Sequence, residues 1–179
     1  MSLLINACPK HGTHALQKAV ELLGQPAGEV HHIPFGESLP VGTTKHLYIY
    51  RDPRNAILSW MRWDGKEITD GMLMAAIRGP KYLPATRQYA GWLSDRDTYK
   101  VRYESLVADD AVMRDLAEFL GVPYLDSAHP NLPGLTRTWR SDHSDFTKIW
   151  TPAVAACWSE AGGDDLVKKF GYLPFDKES

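Results

Sequence analysis

Apolar positions along the chain alternate between unbroken runs and runs that recur every three to four residues. The first run, Leu3-Leu4-Ile5-Asn6-Ala7-Cys8, reads as a buried strand ending at Cys8. Beyond the short loop Pro9-Lys10-His11-Gly12-Thr13, Leu16, Ala19, Val20 and Leu23 share one face of a helix over His14 to Leu23. Gly24 and Pro26 stop it. Glu29 to Phe35 predicts a short second strand closed by Pro34, and Gly36 to Thr44, rich in Gly, Ser, Pro and Thr, an exposed loop. His46 to Arg51 is a third β-favouring run. It hands over at Asp52, suited to an N-cap, and Pro53, suited to a first helical turn, to a helix through Ala56 to Met61.

Further on, Thr69 to Gly79 and Tyr82 to Leu93 predict two helices joined at Gly79-Pro80. Asp97 to Glu104 alternates like a strand, and a helix from Asp109 to Leu120 is closed by Gly121. Residues 122–144, rich in Pro, Gly, Asn, Asp and Ser, are assigned no regular structure. Helices from Thr151-Pro152 to Ala161 and from Asp164 to Phe170, the latter capped by Gly171, complete the chain. Two successive strand-loop-helix units predict a parallel sheet with right-handed crossovers. Ligands of such sheets sit at the carboxyl ends of the strands, where Lys10 and Arg51 both fall.

Composition narrows the picture. A length of 179 residues fits one domain spanning 1–179, and 44% apolar with 23% charged residues is globular. A formal net charge of −2 gives no reason to expect a nucleic-acid binder, so any basic site is local. No apolar stretch is long enough for a membrane span and no basic, apolar leader opens the sequence, so a cytoplasmic protein without a membrane partner is the expectation. Cys8 and Cys157 lie far apart and imply neither a disulfide framework nor a metal site. His46, His129 and His143 lack a ligand spacing with Cys or carboxylates, so no metal is assigned.

The loop Pro9 to Thr13 carries candidate chemistry. A strand that ends in a Gly-containing loop and feeds a helix aims backbone N–H groups and the positive end of the helix dipole at one spot. Lys10 adds a mobile charge, Thr13 a hydroxyl, and Gly12 a backbone that an anion can approach closely. The plainer alternative is an ordinary turn with Thr13 as N-cap. The nucleoside-triphosphate pattern G-x-x-x-x-G-K-[ST] is absent.

Three separated stretches resemble one family, the sulfotransferases that use 3′-phosphoadenosine 5′-phosphosulfate (PAPS). Cys8-Pro9-Lys10-His11-Gly12-Thr13 is similar to their 5′-phosphosulfate loop, P-K-[ST]-G-T, with His11 in place of the small hydroxyl residue. Tyr48 to Ser59 resembles their 3′-phosphate element, in which an arginine ending a strand and a serine eight positions later hold the 3′-phosphate; Arg51 and Ser59 keep that spacing. Val101-Arg102-Tyr103-Glu104-Ser105-Leu106 resembles the later V-R-Y-E-D-L stretch. The resemblance implies a P-loop-like, three-layer α/β fold with a central parallel sheet flanked by helices. It also implies PAPS as cofactor, PAP as product and no metal. Pro9, Lys10, His11, Gly12, Thr13, His14, Arg51 and Ser59 become expected cofactor-binding residues. Arg140, with Arg137 in reserve, stands in a degraded likeness of the family's R-K-G-x-x-G-D-W loop. An ion pair of Arg51 with Asp52 or another carboxylate is the structural alternative.

The family often places a catalytic histidine at the end of the second strand, and His31-His32-Ile33-Pro34 resembles that context with His32 at the histidine position. A free imidazole is matched to neutral pH. Adjacent strand residues face opposite ways, so only one of the pair can serve, and Glu37 is an outside alternative. Lys10 is expected to stabilise the leaving phosphate. The acceptor is a small-molecule or glycan hydroxyl, or an amine. Trp60, Trp63, Tyr82, Tyr89 and Trp92 are divided between core and acceptor-pocket or adenine-stacking roles. Two rivals stand beside this reading: a small ATP-dependent P-loop kinase, and a silent PAP- or nucleotide-binding module.

Overall fold

A computed structural model describes residues 2–26, 28–124 and 145–174. Four strands, β1 (Ser2–Asn6), β2 (Glu29–His31), β3 (Thr43–Tyr50) and β4 (Tyr99–Arg102), form one sheet in the order β2-β1-β3-β4. Every pairing is parallel, with Asn6 opposite both His31 and Tyr48, and Tyr50 opposite Arg102. The carboxyl ends of all four strands therefore share one edge. By its contacts the chain divides into two compact units, residues 2–51 with 92–124 and residues 52–91 with 145–174.

The first unit holds the sheet together with α1 (Thr13–Leu22), α5 (Tyr103–Ala108) and α6 (Asp110–Leu120). Ile5, Leu47, Ile49 and Val101 of the sheet meet Leu16 and Val20 of α1, Leu106 of α5, and Met113 and Leu116 of α6 in one buried core. The apolar run of the inner strands and the period of the helices thus close on each other. Asp109 caps α6 by accepting the Ala111 N–H at 2.8 Å, and Gly121 ends it at φ +74°.

The second unit is helical: α2 (Pro53–Trp63), α3 (Asp70–Arg78), α4 (Tyr82–Tyr89), α7 (Pro152–Glu160) and α8 (Gly163–Lys169). α3 packs on α7 and α2 on α4 and α8, around Ile57, Leu58, Met61, Leu73, Ile77, Val154 and Trp158. Thr69 and Thr151 cap α3 and α7, and Thr151 also donates to Asp70 at 2.7 Å.

The parallel sheet flanked by helices agrees with the sequence, while several boundaries differ. β3 begins at Thr43, inside the stretch expected to be a loop and ahead of the expected His46, because Thr43 and Lys45 already pair with Ser2 and Leu3 of β1. Four others have identifiable reasons. β1 ends at Asn6 rather than Cys8, because Asn6 turns its side chain into a clamp. Its Oδ1 accepts from the Ile33 N–H at 2.9 Å and its Nδ2 donates to the Ile33 carbonyl at 3.1 Å. That clamp takes the place of ladder bonds, so β2 stops at His31 instead of running to Phe35. α1 is capped by Gly12 at φ +107°, without a side-chain cap, and Thr13 is its first helical residue rather than its N-cap. β4 ends at Arg102, where pairing with β3 ends, and Tyr103-Glu104 begin the short helix α5 instead of prolonging the strand.

Candidate functional site

Each strand hands over, at the shared edge, to one part of the candidate site. β1 leads through the buried Ala7 and Cys8 into the loop containing Pro9, Lys10, His11 and Gly12. The His11 N–H donates to the Cys8 carbonyl at 3.2 Å, closing a tight turn. Lys10 sits at φ +68°, the left-handed region, and no other non-glycine among the described residues does so. Such a conformation costs about 1 to 2 kcal/mol in an L-residue and is held only where surroundings impose it. Gly12 is required by crowding as well as by φ: a Cβ there would lie 2.5 Å from Tyr103 Cδ2 and 3.2 Å from Ile49 Cδ1. With no side chain capping α1 and no acidic residue in its first turn, the helix presents its N–H groups and positive dipole end to an anion. Thr13 is buried and His14 exposed in that first turn.

β3 ends at Tyr50 and delivers Arg51, and β4 ends at Arg102 and delivers Tyr103. The Arg51 guanidinium lies over the Tyr103 ring, 4.6 Å from its centroid. Burial pushes the Tyr103 hydroxyl pKa up, against the opposing pull of Arg51. The ring therefore remains a neutral aromatic platform under a cation. The Arg51 N–H donates to Nδ1 of His11 at 3.3 Å. His11 is fully buried, and burial first, then the neighbouring Arg51 and His32, lowers its pKa to about 3. It is a neutral imidazole with its proton on Nε2.

β2 delivers His31 and His32. His31 is directed toward Glu29, its Nε2 3.0 Å from Oε2. His32 Nδ1 lies 2.7 Å from the Ala7 carbonyl, which can only accept, so Nδ1 carries the proton and the lone pair is on Nε2. The two histidines are thus separated as strand alternation requires. Ile33, clamped by Asn6, also accepts from the Trp92 indole N–H at 2.9 Å, which fixes the chain directly after His32. Glu37 lies in the exposed loop that follows.

In the second unit, Asp52 is the expected N-cap of α2, accepting from the Arg54 N–H at 2.9 Å. It also holds the buried Arg54 guanidinium, Nη2 to Oδ2 at 2.7 Å, so Asp52 is committed to Arg54. Arg54 in turn covers the Phe146 ring at 3.9 Å, and Asn55 Oδ1 accepts from the Phe146 N–H at 2.9 Å. Ser59 is half-buried on α2. Arg140 and Arg137 lie outside the described residues, as do His129 and His143. Of the aromatics, Tyr82, Tyr89 and Trp92 are buried, Trp60 is half-buried and Trp63 is 68% exposed.

The residues missed by sequence reasoning are Tyr103, the platform under Arg51, and Asn6, the clamp behind His32. Tyr103 sits inside the Val101 to Leu106 stretch, and its place directly after a parallel strand was the available signal. Asn6 was the sole polar residue in an apolar run. Neither cysteine is in a disulfide, and both are buried. Among the described residues no group of three or more His, Cys, Asp or Glu is placed to hold a metal, and no helix is long and apolar enough to cross a membrane.

No family model matches the sequence, and no curated protein matches it by sequence. Among solved structures, the crystal structure of mouse sulfotransferase SULT7A1 complexed with PAP matches with a TM-score of 0.68 at 15% identity, covering 96% of this chain and 88% of that one. The chain has the P-loop-like fold of that protein, a central parallel sheet flanked by helices.

Proposed function

We propose that the protein is a PAPS-dependent sulfotransferase that passes the sulfuryl group to a hydroxyl, or an amine, of a small-molecule or glycan acceptor. The observation that carries this reading is the delivery of two cationic cradles by adjacent parallel strands. One is the Lys10 loop with the start of α1, which no side chain caps, after β1, and the other is Arg51 after β3. A ligand with two separated anionic groups fits such a pair, and the fold match to a sulfotransferase that carries PAP supports the choice.

In this reading PAPS supplies an activated sulfuryl group. The backbone of Pro9 to His14 and the Lys10 ammonium hold the 5′-phosphosulfate. Arg51 would hold the 3′-phosphate, a role the family resemblance also assigns to Ser59 and Arg140. Lys10 would set a positive charge beside the 5′-phosphate, the leaving group of the transfer. His32 Nε2 would take the proton of the acceptor hydroxyl or amine, and the Ala7 carbonyl holds the ring in the tautomer this needs. A hydroxyl acceptor would give a sulfate ester and an amine a sulfamate, with PAP as the other product. His31, engaged with Glu29, is left outside the chemistry.

Mass-spectrometric detection of sulfated product from PAPS and a panel of phenol, alcohol, amine and glycan acceptors tests the proposal. Product formed by the wild type and lost in His32→Ala is the expected result. PAP binding without product from any acceptor would instead assign a silent nucleotide-binding module.

A further inference from the structure

We infer that His11 is a positioning residue that ties the 5′-phosphosulfate loop to Arg51, so that the two anion cradles keep one spacing and select a ligand phosphorylated at the 3′ position. The inference rests on the sulfotransferase reading and adds to it a source of cofactor selectivity.

Residues 11 and 12 of the loop grip Arg51 from two sides. His11 accepts the Arg51 backbone N–H through Nδ1 at 3.3 Å, while its own N–H is committed to Cys8. Gly12 lies against the ring of Tyr103, and the same ring carries the Arg51 guanidinium at 4.6 Å. Backbone and side chain of the arginine are thus both referred to the loop that holds Lys10. A serine or threonine at position 11 ends one bond short of the place where Nδ1 sits, so a small hydroxyl residue does not reproduce this bridge. Full burial of His11 beside Arg51 keeps the imidazole neutral, and only the neutral ring can accept at Nδ1. The bridge acts on where Arg51 stands and makes no contact with the reacting atoms.

The test is the ratio of affinities for PAP and adenosine 5′-phosphate, which differ in the 3′-phosphate, measured by calorimetry on the full chain. In His11→Ala and His11→Ser the wild-type preference for PAP is expected to fall about three- to tenfold, the worth of one hydrogen bond passed to a charged contact. His11→Asn, whose Oδ1 occupies the position of Nδ1, is expected to keep it. His11→Gln, which carries its acceptor one bond further out, is expected to lose it, and the Asn and Gln pair decides the question even where the Ala variant fails to fold. An unchanged ratio in His11→Ala, or an equal loss for both nucleotides, overturns the inference. A wild type that does not prefer PAP would fail one step earlier, at the assignment of Arg51 to the 3′-phosphate.

Discussion

Nδ1 of His32 donates to the carbonyl oxygen of Ala7 at 2.7 Å, which binds the imidazole to the end of the strand that carries the Lys10 loop. One bond sets both the tautomer and the orientation of the ring. A carbonyl is an acceptor only, so the basic nitrogen is Nε2.

From this follows an asymmetry between neighbours. His32→Ala is expected to lower turnover with PAPS by about 10² to 10⁴, the range for removal of a general base. His31→Ala, which removes only an exposed contact with Glu29, is expected to leave turnover within about twofold of wild type, since exposed pairs are worth little. Equal losses in the two variants, read as initial rates at saturating PAPS, would remove His32 from the mechanism.

Gly12 offers a test on stability. Gly12→Ala must place a Cβ 2.5 Å from the Tyr103 ring at φ +107°. The backbone term alone is about 1 to 2 kcal/mol, and displacement of a packed ring adds about 1 to 3 kcal/mol. The expected result is a clear drop in the urea midpoint together with weakened PAP binding, because the displaced ring is the platform of Arg51. A midpoint equal to that of the wild type would contradict the packing described here.

The start of the chain was legible because its signals are local. The periodic run after Thr13 and the pair Asp52-Pro53 announce helices through chemistry that needs no distant partner, although the cap of α1 falls on Gly12 and not on Thr13. What escaped depends on tertiary context. Asp97 to Glu104 alternates without a break, yet the strand ends where its neighbour stops offering hydrogen bonds, and Tyr103 turns into α5. β2 is shortened by a side chain far away in sequence, Asn6. Alternation alone does not separate His31 from His32; the family resemblance favours His32, and the structure gives the two rings different partners, Glu29 and Ala7. His11 reads in sequence as an extra donor to the cofactor, while burial gives it Arg51 as a neighbour.

Acid should destabilise the fold in a defined window. The pKa of His11 is lowered to about 3, chiefly by burial, and that of His46 to about 4, by burial against the opposing pull of Asp95. In the unfolded chain both sit near 6.5. Between these values the unfolded state binds protons that the folded state refuses, so stability is full above about pH 6.5 and declines as pH falls toward 4 and then 3. Between pH 7 and 5 the loss is at most about 2 kcal/mol for each histidine. Urea unfolding at the two pH values measures it, and His11→Asn is expected to flatten the slope. A stability that rises as pH falls from 7 to 5 would contradict the neutral, buried state of both rings.

Calorimetric titration with PAP, alongside ATP with Mg²⁺, tests the central claim most directly, with the PAP titration repeated on Lys10→Ala and Arg51→Ala. The account expects PAP to bind in the micromolar range, ATP to bind more weakly, and both substitutions to abolish PAP binding while leaving the chain folded. Absence of PAP binding by the wild type, or tighter binding of Mg²⁺-ATP, would contradict it and favour a P-loop kinase.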